Sequence, residues 1–341
     1  MKVLVTGGAG FIGSHVVDAL RGEGARVVCV DSLDSGVHQG PPAYLRPDVE
    51  YCFVDLRRFE PDSRFEDIEA VVHLAALGGV ARASREPANI VEANGAGTAR
   101  LVEAARRWWR LRRVVLASSF SVYGANYIYR CPRCGREGDG ARIPADLDAG
   151  HFEVRCRVCG ADAEIQPITE TARPDPLETY GASKYMQELC FRGFAACPVS
   201  ILRFSSVYGP RLRLDDGEAT IIARIAGWVR AGERPTLLED GRQIRDWIFV
   251  GDVVAAILAV LRGAQVRPVT NVCSGVAIRL VEACERIAES LGVDCPPNVV
   301  GGYRPGDMRH CLGDPSGLRA LLGREPLSFK DGVSMAFGRG A

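Results

Sequence analysis

Short runs of β-branched and apolar residues alternate, from the first residues onward, with stretches that are apolar at every third or fourth position. The runs predict strands over residues 3–6, 27–31, 51–55, 70–73 and 114–118. Helical spacing predicts helices over 14–21 and 97–107 between them. Apolar strands separated by amphipathic helices require a parallel sheet covered on both faces, so the expected fold class is a doubly wound α/β sheet. The alternation stops between 127 and 167, where glycines, prolines and paired cysteines replace it. It resumes with a helix around Tyr180 and a strand over 199–204. After Pro210 the pattern is more mixed, with helices over 220–231 and 252–262 and a strand over 247–250. A late helix carries Leu280, Cys284, Ile287 and Leu291 on one face.

At 341 residues and 47% apolar composition, the chain suits one large α/β domain or two closely packed ones. Lys plus Arg and Asp plus Glu are 42 each, so no net field draws the protein to nucleic acid or to an anionic membrane. The one basic knot, 106–113, leads into the strand at 114 and reads as a solvated helix end. The longest apolar run, 253–261, is far too short to span a bilayer. The first strand begins at Lys2, no removable leader is expected, and the expected location is cytoplasmic. Twelve cysteines are too few for a disulfide scaffold at this length. Outside the paired four, they read as reduced core residues.

Gly7, Gly10 and Gly13 fall between a strand and a helix, the context a dinucleotide fingerprint requires. Gly7 permits the tight turn, Gly10 lets backbone approach a pyrophosphate, and Gly13 lets helix meet strand. The helix N-terminus then offers free N–H groups to the phosphates. Asp31 ends the second strand about 20 residues on, placed to accept from an adenosine ribose and to repel a 2′-phosphate. NAD is therefore expected rather than NADP. Asp55 has two readings, contact with the adenine amino group or the cap of a helical turn. Leu74, Ala75 and Ala76 follow the fourth strand with room for a cofactor against backbone, while His73 reads as a packed histidine. These features outline a Rossmann-type NAD-binding domain over 1–204, interrupted by an insert over 127–167. A smaller substrate lobe over 205–341 is expected to return part of its chain to the sheet.

Cys131 and Cys134 form one C-x₂-C pair and Cys156 and Cys159 a second, each followed by glycine. That pattern matches a four-thiolate zinc ribbon. Four thiolates close the coordination sphere, so the expected zinc is structural and activates no water.

Tyr180 and Lys184 stand one helical turn apart and share a helix face. An ammonium there favours the phenolate, so a phenol with a reference pKa of about 10 is drawn toward service as a base. Ser118 and Ser119 supply a hydroxyl pair at the end of the fifth strand.

With these residues together, the chain resembles the extended short-chain dehydrogenase/reductase superfamily, and within it the nucleotide-sugar epimerases and dehydratases. The likeness runs through the glycine loop, 73–76, Asn94, 118–124, Tyr180 and Lys184, 203–211, 240–246, 271–275 and 304–307. It implies that Ser119 holds the sugar 4-hydroxyl, Tyr180 is the base and Lys184 holds the nicotinamide ribose. It assigns Phe11, Ile12, Leu56, Leu74, Ala75, Ala76 and Asn94 to the cofactor. Gly79, Phe120, Ser121, Ser206, Arg245 and Arg304 go to the substrate, the two arginines clamping a nucleotide diphosphate. A homodimer is usual in such proteins.

Two departures sharpen this picture. The dehydratases and uronate decarboxylases of that family carry a glutamate two positions after the catalytic hydroxyl; here the place holds Ser121. Ser206 replaces an asparagine common in hexose epimerases. The ribbon and the loops 239–243 and 303–310 are similar to the dTDP-L-rhamnose 4-epimerase subgroup. The phenyl ring of Phe120 is expected near carbon 6 of the sugar, where it would favour a methyl over a hydroxyl or carboxylate. The expected function is therefore an NAD-dependent 4-epimerase of a dTDP-linked 6-deoxyhexose. The alternatives are a dehydratase, dehydrogenase or reductase on a similar substrate, a UDP-hexose or UDP-uronate 4-epimerase, or an NAD-sensing interaction protein.

Overall fold

A computed structural model describes residues 1–124, 127–140, 142–214, 220–264, 267–304 and 307–338. β1 (Lys2–Thr6), β2 (Arg26–Asp31), β3 (Glu50–Phe53), β4 (Ala70–His73) and β5 (Arg113–Ser119) form one parallel sheet with two later strands. Its order runs Val269–Val272, Val199–Phe204, β5, β4, β1, β2, β3. Alternation along each strand divides the interior into two cores. Val3 and Val5 of β1 face one, with Val16, Val253 and Ile257 from flanking helices. Leu4 faces the other, with Leu101, Trp108 and Phe191. α1 (Phe11–Gly22) and the helix Val250–Leu261 cover the first face; the helices Gly97–Ala105 and Thr179–Arg192 cover the second.

Past the strand Val199–Phe204, Tyr208, Ile225, Trp247, Cys284, Ile287 and Phe337 build a third core. Val250 belongs to that core while Val253 belongs to the sheet, so one helix joins the two bodies. The strand Val269–Val272, hidden in the sequence because the polar Thr270 and Asn271 break its apolar run, leaves this region and completes the sheet beside Val199–Phe204. The insert holds three short antiparallel strands, Tyr127–Arg130, Glu137–Gly140 and Glu164–Ile165.

Two local features depart from the sequence reading. The third strand ends at Phe53, because Asp55 caps a 3₁₀ turn over Leu56–Arg58 by accepting from Arg57 N at 2.8 Å. The helix ahead of the Gly97–Ala105 helix contains a π-helical turn, Glu92–Ala96. Such turns often accompany functional positions.

Candidate active site and metal centre

A cavity of about 390 Å³ opens at the carboxyl ends of the strands, where the sheet order reverses between β1 and β4. Gly7, Gly10, Phe11, Ile12, Gly13, Asp31, Asp55, Leu56, Leu74, Ala75, Ala76, Asn94, Tyr180 and Lys184 all line it. The glycine spacing has a steric cause: a Cβ on Gly13 would stand 2.0 Å from Gly7 O, and one on Gly7 would stand 2.8 Å from Ala75 N. Asp31 accepts from Ala9 N and Leu33 N, both at 2.9 Å, and so ties the glycine loop to the turn after β2. The Asp55 carboxylate takes the Arg57 guanidinium as well as its N–H, and Arg57 holds the carboxyl below its usual range. The capping geometry is thus present while the residue still borders the cavity.

Sequence reasoning missed Asp34, whose carboxylate pairs with the Arg82 guanidinium at 2.6 and 3.2 Å beside the cavity. The two are 48 positions apart, and no spacing signals the contact. His73 is packed: Thr6 and Thr98 hydroxyls meet its ring nitrogens at 2.6 and 2.8 Å, and burial pushes its pKa down to about 3. Asn94 works through the backbone. It accepts from Leu77 N, and it donates to Leu77 O and to the Ser183 hydroxyl, fixing the cavity wall to the Tyr180 helix.

That helix, Thr179–Arg192, is capped by the Glu178 carboxylate, which accepts from Tyr180 N and Gly181 N at 2.7 Å. A Cβ on Gly181 would fall 2.4 Å from Ser121 O. Only glycine lets the first helical turn press onto the turn Phe120–Tyr123, and this brings Tyr180 to the end of β5. There Ser119 comes near enough to the phenol to act on its pKa, and its hydroxyl accepts from Ser121 N at 3.1 Å.

The electrostatics differ from expectation. Burial and the nearby Glu178 push Tyr180 up to about 12, and the neighbouring Ser119 hydroxyl acts in the opposite sense. Lys184 donates to Gln187 Oε1 at 2.5 Å, and burial pushes it down to about 7, with Glu188 opposing. The expected lowering of the phenol by Lys184 is not among the influences on Tyr180; desolvation and Glu178 dominate, and the Lys184 ammonium is bound to Gln187. Glu188, unnoticed in the sequence, forms a buried pair with Arg203 at 2.7 and 2.9 Å and accepts from Ser118 at 2.6 Å.

On the substrate side the placement is less uniform. Phe120 is only 3% exposed, lies outside the cavity lining and packs against Tyr123 and Gly313. Its ring joins a core cluster with Val122, Ile168, Cys273 and Cys311, so it does not offer the wall expected near carbon 6. Ser121 stays partly exposed beside Ser119, and Gly79 opens the short helix Val80–Arg85 with φ of 96°. Ser206 N donates to Asp246 O at 3.1 Å. Arg245 is anchored by donating to Ile244 O at 2.9 Å and to Arg309 O at 2.6 Å. Arg304 is exposed and faces Arg224, whose pKa is lowered by burial and by the Arg304 charge. Arg224, also missed in the sequence, lies 4.7 Å over the Trp228 ring.

In the insert, the ligand atoms of Cys131, Cys134, Cys156 and Cys159 lie within 4.8 Å of one another. The two knuckles repeat one geometry. Gly135 N donates to Cys131 O and Gly160 N to Cys156 O, both at 2.9 Å, and both glycines have φ of 69°. Backbone N–H groups of Cys159 and Val158 pull the Cys156 thiol down to about 6. A convergent thiol tetrad on paired turns is a donor set suited to zinc.

Among the described residues no helix is long and apolar enough to cross a membrane. The model of the NAD dependent epimerase/dehydratase family matches residues 3–136 and 156–273, on either side of the middle of the insert. The chain is 30% identical over 336 residues to a dTDP-L-rhamnose 4-epimerase of Burkholderia thailandensis, covering 95% of this chain and 90% of the relative. Among solved structures it is similar to a UDP-glucose 4-epimerase of Thermotoga maritima with UDP-glucose, at TM-score 0.77 and 28% identity over 99% of this chain and 97% of the other. It is also similar to a UDP-glucose 4-epimerase of Thermus thermophilus in complex with NAD, at TM-score 0.76 and 27% identity over 99% and 98%. A reversed parallel sheet, a glycine loop at its switch point and a tyrosine–lysine helix at the far end of the cavity agree with these likenesses, and the chain belongs to the NAD dependent epimerase/dehydratase family.

Proposed function

We propose that the protein is a nucleotide-sugar 4-epimerase that works through a transient 4-keto sugar, with a dTDP-linked 6-deoxyhexose such as dTDP-L-rhamnose as preferred substrate. The observation that carries this reading is that Tyr180 and Lys184 line the same cavity as Gly7 and Asp31, with Ser119 near the phenol. The cavity suits NAD: close-packed glycines leave backbone bare where a pyrophosphate would lie, and α1 opens at Gly10 with no side-chain cap on its N–H groups. NAD held there by these residues would supply the acceptor for the hydride of carbon 4 and the donor for its return. Tyr180 takes the 4-hydroxyl proton as the ketone forms and returns it as the ketone is reduced from the other face. Ser119 shares its hydroxyl with that oxygen, and Lys184 holds positive charge near the phenolate when protonated.

Epimerisation is preferred to dehydration because Ser121 stands where an eliminating enzyme needs a carboxylate. With Phe120 buried, the preference for a 6-deoxysugar rests on the relative from Burkholderia thailandensis. Incubation with a panel of dTDP- and UDP-sugars, without added reductant, followed by NMR, tests the reading. A 4-epimer should form fastest from a dTDP-6-deoxyhexose; faster turnover of UDP-glucuronate than of any deoxysugar would reject that choice.

We further infer a structural zinc held by Cys131, Cys134, Cys156 and Cys159. Its ligand sphere would be closed, so it would fold the insert and take no part in proton or hydrogen transfer.

A further inference from the structure

The insert is fastened to the substrate lobe by a network of buried charges. Arg142 donates to Glu239 Oε1 at 2.7 Å, in a pair whose side chains are 6% and 4% exposed, and to Asp307 O at 2.9 Å. Glu153 accepts from Arg309 at 2.6 Å and meets His310 Nε2 at 2.8 Å. Arg309, with no exposed side-chain surface, also reaches Glu239 and Asp240. Tyr303 donates to Asp148 at 2.6 Å. Met308 packs on both the cysteine core and the Phe120 cluster.

The same loop is what holds Arg245. Arg309 O accepts from the Arg245 guanidinium, His310 Nδ1 accepts from Ile244 N at 3.2 Å, and Cys311 N donates to Ile244 O at 3.0 Å. Arg304 follows Tyr303 directly. The Arg245 guanidinium is thus set by a segment whose own position depends on Arg142 and Glu153 of the insert, and Arg304 adjoins Tyr303, which is held by Asp148. Groups in such a network have few alternative partners, since a buried charge that loses its counterpart is strongly penalised.

We propose that the metal-folded insert is a positioning element for the nucleoside diphosphate. Arg142 and Glu153, held in place by the four-cysteine centre, fix residues 307–311, and with them Arg245, while Asp148 holds Tyr303 next to Arg304. The insert thereby governs affinity for the nucleotide half of the substrate while the NAD cavity stands apart. This rests on the reading of Arg245 and Arg304 as diphosphate ligands.

The test is calorimetric titration of UDP and dTDP into the full-length protein, as purified without chelator and after zinc removal. Bound zinc, reactive thiols and retained NAD are counted in each sample. Zinc removal should weaken the tighter nucleotide by about tenfold or more, leave NAD content unchanged, and be reversed by added zinc. Glu153→Gln should keep both zinc and NAD while raising KM for the nucleotide sugar, with kcat little altered. Unchanged nucleotide affinity in zinc-free protein with four reactive thiols would overturn the inference, as would loss of NAD together with nucleotide. The same holds for protein purified without chelator that contains no metal. Failure of both nucleotides to bind the zinc-loaded protein would instead overturn the diphosphate reading of Arg245 and Arg304, and the inference with it.

Discussion

Tyr180 is surrounded by groups that mostly oppose its ionisation, and this gives its role a measurable signature. Tyr180→Phe keeps the ring but removes the proton acceptor, so turnover should fall by roughly 10²–10⁴-fold with NAD still bound. Retention of more than a third of wild-type turnover contradicts the assignment. Glu178 offers a subtler handle. Its negative charge raises the phenol pKa, and the phenolate is the working form, so Glu178→Gln should lower that pKa. The rising limb of kcat against pH should then move to lower pH; a limb that stays or moves up contradicts this account. At this scale the sequence revealed helix-spaced Tyr180 and Lys184 and the glycines of the cofactor loop, because local periodicity and chain geometry dictate them. It did not reveal Glu188–Arg203 or Asp34–Arg82, which are tertiary meetings. It misdirected Phe120, because nothing in the order Ser119, Phe120, Ser121 says which way the turn points each side chain.

Among the elements, the insert makes the strongest local demand. Its two knuckles were legible since each repeats cysteine, two residues, cysteine and glycine, and the glycines take the positive φ that such turns require. Cys156→Ser removes one ligand of four; bound zinc per chain should drop from near one toward zero, and the insert should become open to protease while the NAD domain stays folded. Full zinc content in that variant would show that the metal sits elsewhere. The strand Val269–Val272 was less legible than the knuckles. The polar Thr270 and Asn271 interrupt its apolar run, and its place is fixed by pairing with Val199–Phe204 across 67 or so intervening positions of chain. The π-helical turn at Glu92–Ala96 likewise leaves no sequence period, yet it sets Asn94 against Leu77 and Ser183.

For the whole molecule, the parallel sheet and dinucleotide fold were readable from alternating strands and helices and the family from its motifs, while the strand order, with Val269–Val272 at its edge, was not. The link between insert and substrate lobe was not, since Arg142, Glu153, Glu239 and Arg309 lie far apart in sequence and meet only when the chain is folded. The central claim is that one hydrogen leaves carbon 4 and returns to the same carbon with no net oxidation. A nucleotide 6-deoxyhexose deuterated at carbon 4, incubated with the protein in ordinary water, tests it most directly. The account predicts a mixture of the two 4-epimers with the deuterium still on carbon 4 and no accumulating NADH absorbance. Loss of the label to solvent, stoichiometric NADH release, or an accumulating keto product would contradict it.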